Sequence, residues 1–165
     1  MKIVFDSSTL ILLAKTDLLR EVLKEISIII PEDVKRECFV KKTSDAELIS
    51  LLIQEGKINV QEAVDVKAIK KLQIDFRIAK AEAEAIWLSK KYELPIAIDD
   101  GPGIKASKVL GQRFLTAIHF LLHLSSHDRL SPELAQEKLA KLAQMGRYNT
   151  RIIEDAMQRL NEGRK

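Results

Sequence analysis

Residues 2–9 read "KIVFDSST", and both fold and function turn on the step from Phe5 to Asp6. Ile3, Val4 and Phe5 make a short unbroken apolar run, the pattern of a strand buried on both faces. Asp6 follows at once, then Ser7, Ser8 and Thr9, and then "LILLAKTDLLREVL", whose leucines have helical spacing. A carboxylate at such a junction has two uses. It caps the next helix by accepting from the unpaired first-turn N–H groups, or it is the first ligand of a metal site.

Outward from this junction the chain alternates. "ISIII", stopped by Pro31, reads as a second buried strand, with Pro31 opening a helix over "EDVKREC". "SDAELISLLIQEG" reads as a helix capped at Ser44 and ended by Gly56, "KINV" as a third strand and "DVKAIKKLQ" as a short basic helix. "AKAEAEAIWLSKKYE" is strongly helical by composition. "LPIAI" is a fourth strand ending in Asp99-Asp100, and "GIKASKVLG" a further helix. From "FLTAIHFLLHLSSHDRL" onward everything reads as helix, with Ser131-Pro132 as a start signal and Gly146 as a stop. Strands alternating with helices imply an α/β fold with a central parallel sheet covered by helices. In such sheets ligands gather at the carboxyl ends of the strands, where Asp6, Asp99 and Asp100 stand.

With 165 residues, 46% hydrophobic and 31% charged, the chain suits one ordered domain, residues 1–165. The net charge of +3 permits an anionic partner without demanding one. A single cysteine, Cys38, excludes an internal disulfide framework and suits a reducing cytoplasm. The start lacks the pattern of a signal peptide and the apolar runs fall short of a membrane span, so a cytoplasmic protein is expected.

Each acid has an ordinary structural reading: Asp6 a cap, Glu37 a solvated residue, Glu82 and Glu84 partners of the helix dipole, Asp99-Asp100 a turn. Together they form a constellation. Carboxylates brought to one sheet edge repel and raise one another's pKa unless a cation neutralises them. A hard divalent ion held by oxygen ligands does so, and supplies phosphodiester hydrolysis chemistry.

The runs "VFDSSTLILLAK", "IPEDVKRE" and "AEAEAIWLSKKYELPIAIDD", in this order and spacing, resemble the PIN domain, the nuclease domain of VapC-type toxins and RNA-processing proteins. The resemblance covers residues 1–115, with 116–165 as a helical C-terminal extension, and implies a three-layer α/β/α fold. It implies a Mg²⁺- or Mn²⁺-dependent endoribonuclease with Asp6, Glu37, Glu82 or Glu84, and Asp100 as catalytic metal ligands and Asp99 as a further one. Ser8 would orient Asp6, and Lys105 and Lys108 would position substrate. The partners implied are RNA, a small antitoxin and a second copy of the chain. Gly101-Pro102-Gly103 departs from the polar residue that many relatives carry after the fourth-strand acid. A non-catalytic PIN-like module that binds RNA or protein is the alternative. A nucleotide-binding α/β protein lacks its Gly-rich loop.

At about 100° per residue, Glu82 and Glu84 point roughly 200° apart on a helix, and the sequence does not choose between them. The basic pairs Lys35-Arg36, Lys41-Lys42, Lys70-Lys71 and Lys90-Lys91 read as solvated helix faces. His119, His123 and His127 have a spacing that can bind zinc, yet a leucine-rich helix with no acid between the first two favours a packing or rim role. Trp87 and Cys38 read as core, and Arg147-Tyr148 as a turn at a helix cap.

Overall fold

The computed structural model describes residues 1–40 and 42–163, so Lys41 of the second basic pair lies outside the described residues. Five strands form one parallel sheet: β1 (Lys2–Phe5), β2 (Ser27–Pro31), β3 (Ile58–Gln61), β4 (Ile96–Ala97) and β5 (Phe114–Leu115), in the order β3-β2-β1-β4-β5. Chain direction across the sheet reverses between β1 and β4, which makes the crevice beyond their carboxyl ends the switch point. The β1–β4 ladder runs past both strands: Asp6 N–H donates to the Ala97 carbonyl at 2.9 Å. Asp6 is thus the last residue that the sheet holds rigidly.

Ten helices cover the sheet in the described residues: α1 (Ser7–Lys15), α2 (Leu19–Leu23), α3 (Glu32–Phe39), α4 (Ser44–Gln54), α5 (Val66–Phe76), α6 (Lys80–Lys91), α7 (Gly101–Val109), α8 (Ala117–Ser126), α9 (Pro132–Met145) and α10 (Thr150–Glu162). α1 packs with α2, α4 and α8; α6 packs with α5 and α7 and lies directly on β1, β2 and β4. This is a three-layer α/β/α arrangement. α3 touches both α1 and α6 and so spans the switch-point end. Ala81, Ala83 and Ala85 of α6 are buried, and these small side chains let its first turns approach the sheet closely. Ile3, Val4, Phe5, Ile28 and Ile30 are fully enclosed, and Phe5 meets Phe120 of α8 with ring centroids 5.3 Å apart.

Four expectations change. "LILLAKTDLLREVL" is two helices, because Thr16 Oγ1 bonds back to the Leu12 carbonyl at 2.8 Å and Asp17 takes a left-handed φ of 58°. The fourth strand is shorter than "LPIAI", although Ile98 N–H still pairs with the Leu115 carbonyl. Phe114–Leu115, expected as helix, is an edge strand of two residues, too short to show a period of two. The cap of α4 is Thr43 rather than Ser44, whereas Ser131 caps α9 through a bond from Leu134 N–H at 3.2 Å.

Candidate active site

Asp6 does both things a carboxylate at that junction can do. Its Oδ2 accepts from Ser8 N–H at 3.2 Å and from Ser8 Oγ at 2.6 Å, capping α1. Its Oδ1 is buried and has no hydrogen-bond partner among the described residues. Burial raises the Asp6 carboxyl to about 6; the Ser8 bonds oppose this and the charge of Glu37 adds to it.

The three hydroxyls after Asp6 fan out because successive residues on a helix point about 100° apart. Ser7 Oγ donates to Glu37 Oε2 at 2.5 Å, Ser8 holds Asp6, and Thr9 Oγ1 donates to Asp99 Oδ2 at 2.6 Å. One helical turn therefore orients three carboxylates from three elements. Ser8 is used twice, since its Oγ also accepts from Asp99 N–H at 3.0 Å.

Glu82, in the first turn of α6, faces the same space. Burial, the charges of Asp6 and Asp100, a hydrogen bond shared with Asp100, and the charge of Glu37 together push its carboxyl up to about 8. Its Oε2 is buried without a hydrogen-bond partner among the described residues. Asp100 caps α7 through its extended backbone while its side chain stays half-buried beside Glu82. Asp6, Glu37 and Asp100 thus all lie within electrostatic reach of Glu82, and Asp6 within reach of Glu37.

Glu84 and Asp99 are turned to other tasks. Glu84 Oε2 accepts from Asp33 N–H at 3.2 Å in the first turn of α3, and Lys80 Nζ stands 3.8 Å from Oε1. Burial raises its carboxyl and the Asp33 bond opposes this. Both oxygens of Asp99 are taken: Thr9 and Ala117 N–H, at 3.0 Å, donate to Oδ2, and the Tyr148 hydroxyl donates to Oδ1. Burial raises the Asp99 carboxyl against these three bonds, and burial beside Asp99 also raises the Tyr148 phenol.

Lys105 and Lys108 are exposed on α7 and face different ways, Lys105 toward Arg77 and Pro102, Lys108 toward Phe114. Within the Gly101-Pro102-Gly103 loop the third residue has a steric reason to be glycine, whereas a Cβ at Gly101 would meet nothing within 4 Å. A Cβ on Gly103 would come within 2.2 Å of Ile98 Cδ1 and 3.1 Å of Glu82 Oε2, so glycine clears the space that Glu82 fills. Cys38 is buried beside the acids and its thiol is pushed up to about 12, chiefly by burial. His119 folds back to accept from Thr116 N–H at 2.9 Å, and His123 pairs with Glu25 at 2.6 Å. Sequence reasoning missed Ser7, Thr9, Gly103 and Tyr148. The first two had a signal in the unbroken hydroxyl run, and Gly103 in the loop departure; Tyr148 had none.

A parallel sheet whose switch point gathers carboxylates from two strand ends and two helices belongs to the α/β class that places its ligands beyond the carboxyl ends of the strands. The family described as DUF3368: PIN domain matches residues 2–162, and the chain belongs to it. PIN domains are generally nucleases and typically use divalent metals. Among solved structures, PAE2754 from Pyrobaculum aerophilum aligns with a TM-score of 0.54 at 13% identity, covering 76% of this chain and 99% of that one, which is a likeness of fold. FitAcB from Neisseria gonorrhoeae, also at 13% identity, covers 71% of this chain and 99% of that one with a TM-score of 0.41, too loose a likeness to argue from. A search of curated proteins finds no match.

Proposed function

We propose that this PIN domain is a divalent-metal-dependent endoribonuclease. The observation that carries the reading is the pair of partnerless buried oxygens, Asp6 Oδ1 and Glu82 Oε2, in a space ringed by two further acids. Buried carboxylate oxygens without donors are costly, and hard cations suit such a donor set. Asp6, Glu37, Glu82 and Asp100 would hold Mg²⁺ or Mn²⁺; Glu84 and Asp99 are left out because their oxygens are engaged with backbone and hydroxyl donors. A bound ion supplies water activation and neutralises charge developing on phosphoryl oxygens.

The chain's own residues prepare for this. Ser8 fixes one oxygen of Asp6 and leaves the other free, and Ser7 sets the rotamer of Glu37. Gly103 keeps room for Glu82. Glu82, protonated up to about pH 8 in the bare site, must release that proton for a cation to enter. Lys105 and Lys108 would meet backbone phosphates on either side of the Asp100 loop.

Among the described residues no three acidic, histidine or cysteine side chains are arranged to hold an ion as they stand, which favours the second reading, a non-catalytic RNA- or protein-binding module. Bare carboxylates, however, splay and share protons until a cation draws them in. A toxin role, with a small antitoxin covering the acids, self-association and a cytoplasmic site of action, extends the nuclease reading; no described helix is long and apolar enough to cross a membrane.

Asp6→Asn is the test. Asn retains the cap of α1 but cannot carry the charge, so the variant should fold, lose Mn²⁺ uptake in calorimetry, and lose cleavage of single-stranded RNA. On expression in cells, growth arrest with the parent chain and none with the variant would support the toxin role. Undiminished Mn²⁺-dependent cleavage by purified Asp6→Asn protein defeats the proposal, and no Mn²⁺ uptake by the parent chain favours the module.

A further inference from the structure

Asp100, at the edge of the carboxylate cluster, also lines a groove of about 790 Å³ shared by Gly101, Pro102 and residues of the C-terminal helices. Its floor is apolar, made by Ile104, Phe114 and Ile118. Cations line it from two elements: Lys108 of α7, which lies over the Phe114 ring, and Arg147 and Arg151, which flank the Asn149 cap of α10.

These three cations are exposed and have no ion-pair partner among the described residues. Arg159, further along, is bound to Asp155 at 3.0 Å and contributes little net charge. Unmatched charges from two elements around an apolar floor beside Asp100 fit a ligand with anionic groups along its edge and flat apolar faces between.

We propose that this groove, built largely by the C-terminal extension, holds the single-stranded RNA that flanks the scissile phosphate. Arg147, Arg151 and Lys108 hold phosphates, while a base packs on Ile104 and Phe114. The inference rests on the nuclease reading for its ligand class. A single strand is indicated because Asp6 is only 1% exposed: a rigid duplex cannot bring a phosphate into that recess, whereas a flexible strand can dip into it. Arg147, Arg151 and Lys108 are positioning residues here, since they touch substrate away from the bond that breaks.

The test is fluorescence anisotropy with a short fluorescein-labelled mixed-sequence RNA strand in EDTA, where nothing is cut. Arg147→Glu/Arg151→Glu should weaken binding about tenfold at low salt and flatten the salt dependence by about 1.4 in log–log slope, two phosphate contacts on a single strand. Lys108→Glu, on α7, should act in the same direction. Lys2→Glu/Lys90→Glu, with the same change in charge at the opposite end of the sheet, should leave affinity within about twofold, and the corresponding duplex should bind the parent chain more weakly.

Equal losses in the two double variants would reduce the effect to net charge and overturn the proposal. An unchanged affinity in both groove variants would leave the groove to an acidic protein partner and also overturn it. Cleavage with Mn²⁺, followed in parallel, separates the two readings. A chain that binds RNA through the groove without cutting it keeps the groove and loses the nuclease. A chain whose groove variants bind and cut like the parent loses the groove alone.

Discussion

Two pairs of carboxylates on neighbouring elements are treated in opposite ways. Asp99 and Glu84 are supplied with donors: three for Asp99, from Thr9, Ala117 and Tyr148, and the Asp33 N–H with Lys80 nearby for Glu84. Asp6 and Glu82 each keep an oxygen with no partner and face one another's charge. The first set ties elements together: Asp99 links α1, α8 and the turn before α10, and Glu84 links α6 to α3. The second set resists ionising, since its desolvation and mutual repulsion are not relieved by donors. A chain able to satisfy Asp99 so fully had the donors to satisfy Glu82, so the difference points to a use for the unsatisfied pair.

The largest expected effect breaks the comparison at α6. Glu82→Gln should lower Mn²⁺-dependent RNA cleavage at least a hundredfold, about 2.7 kcal/mol in the barrier. Glu84→Gln, which can still accept from Asp33 N–H, should stay within a few-fold. Single-turnover rates on the labelled strand measure both, and equal losses would erase the distinction.

Next comes stability at Asp99. Asp99→Ala strands the donors of Thr9, Tyr148 and Ala117 in a largely buried place, a loss of about 2–4 kcal/mol. Tyr148→Phe removes one donor and should cost about 1 kcal/mol. Urea unfolding in EDTA measures both, and an Asp99→Ala protein as stable as its parent would show that Asp99 does not hold the extension to the sheet.

What the sequence disclosed follows from the range of the forces involved. Four strands were legible because β-branched runs bounded by Pro, Gly and acids are local signals, and the acids at their ends could be located for the same reason. Phe114–Leu115 was not, because an edge strand of two residues is defined by pairing with Ile96 and Ala97. The phase of Glu82 against Glu84 was legible from the helical repeat, but which of them faces the switch point depends on where α3 lies, and that is a tertiary fact. Ser7 and Thr9 were visible as hydroxyls while their partners, 30 and 90 residues away, were not. The bond from Tyr148 to Asp99 spans 49 residues with no pattern at either end.

A modest effect, that of pH, sharpens the comparison most, because its sign separates stored repulsion from ordinary burial. The Glu82 carboxyl lies near 8 in the folded, metal-free chain against an ordinary 4.5. Between those values the folded state keeps a proton that the unfolded chain has released. Stability from this group is therefore fully present below about pH 4.5 and is lost as pH rises through about 8. Asp6 acts in the same direction over a narrower window, from 3.8 to about 6. Glu82→Gln cannot ionise, so it should be more stable than the parent at pH 8 by about 1–2 kcal/mol, after discounting for the solvent that reaches a half-buried carboxyl. The gain should vanish by pH 4.5, and Mn²⁺ should reverse it at pH 8 by stabilising the parent alone. Urea titrations in EDTA and in Mn²⁺ at the two pH values give all four numbers. A Glu82→Gln chain no more stable than its parent at pH 8 would mean that the acids at the switch point are no more strained than those at Asp99 and Glu84.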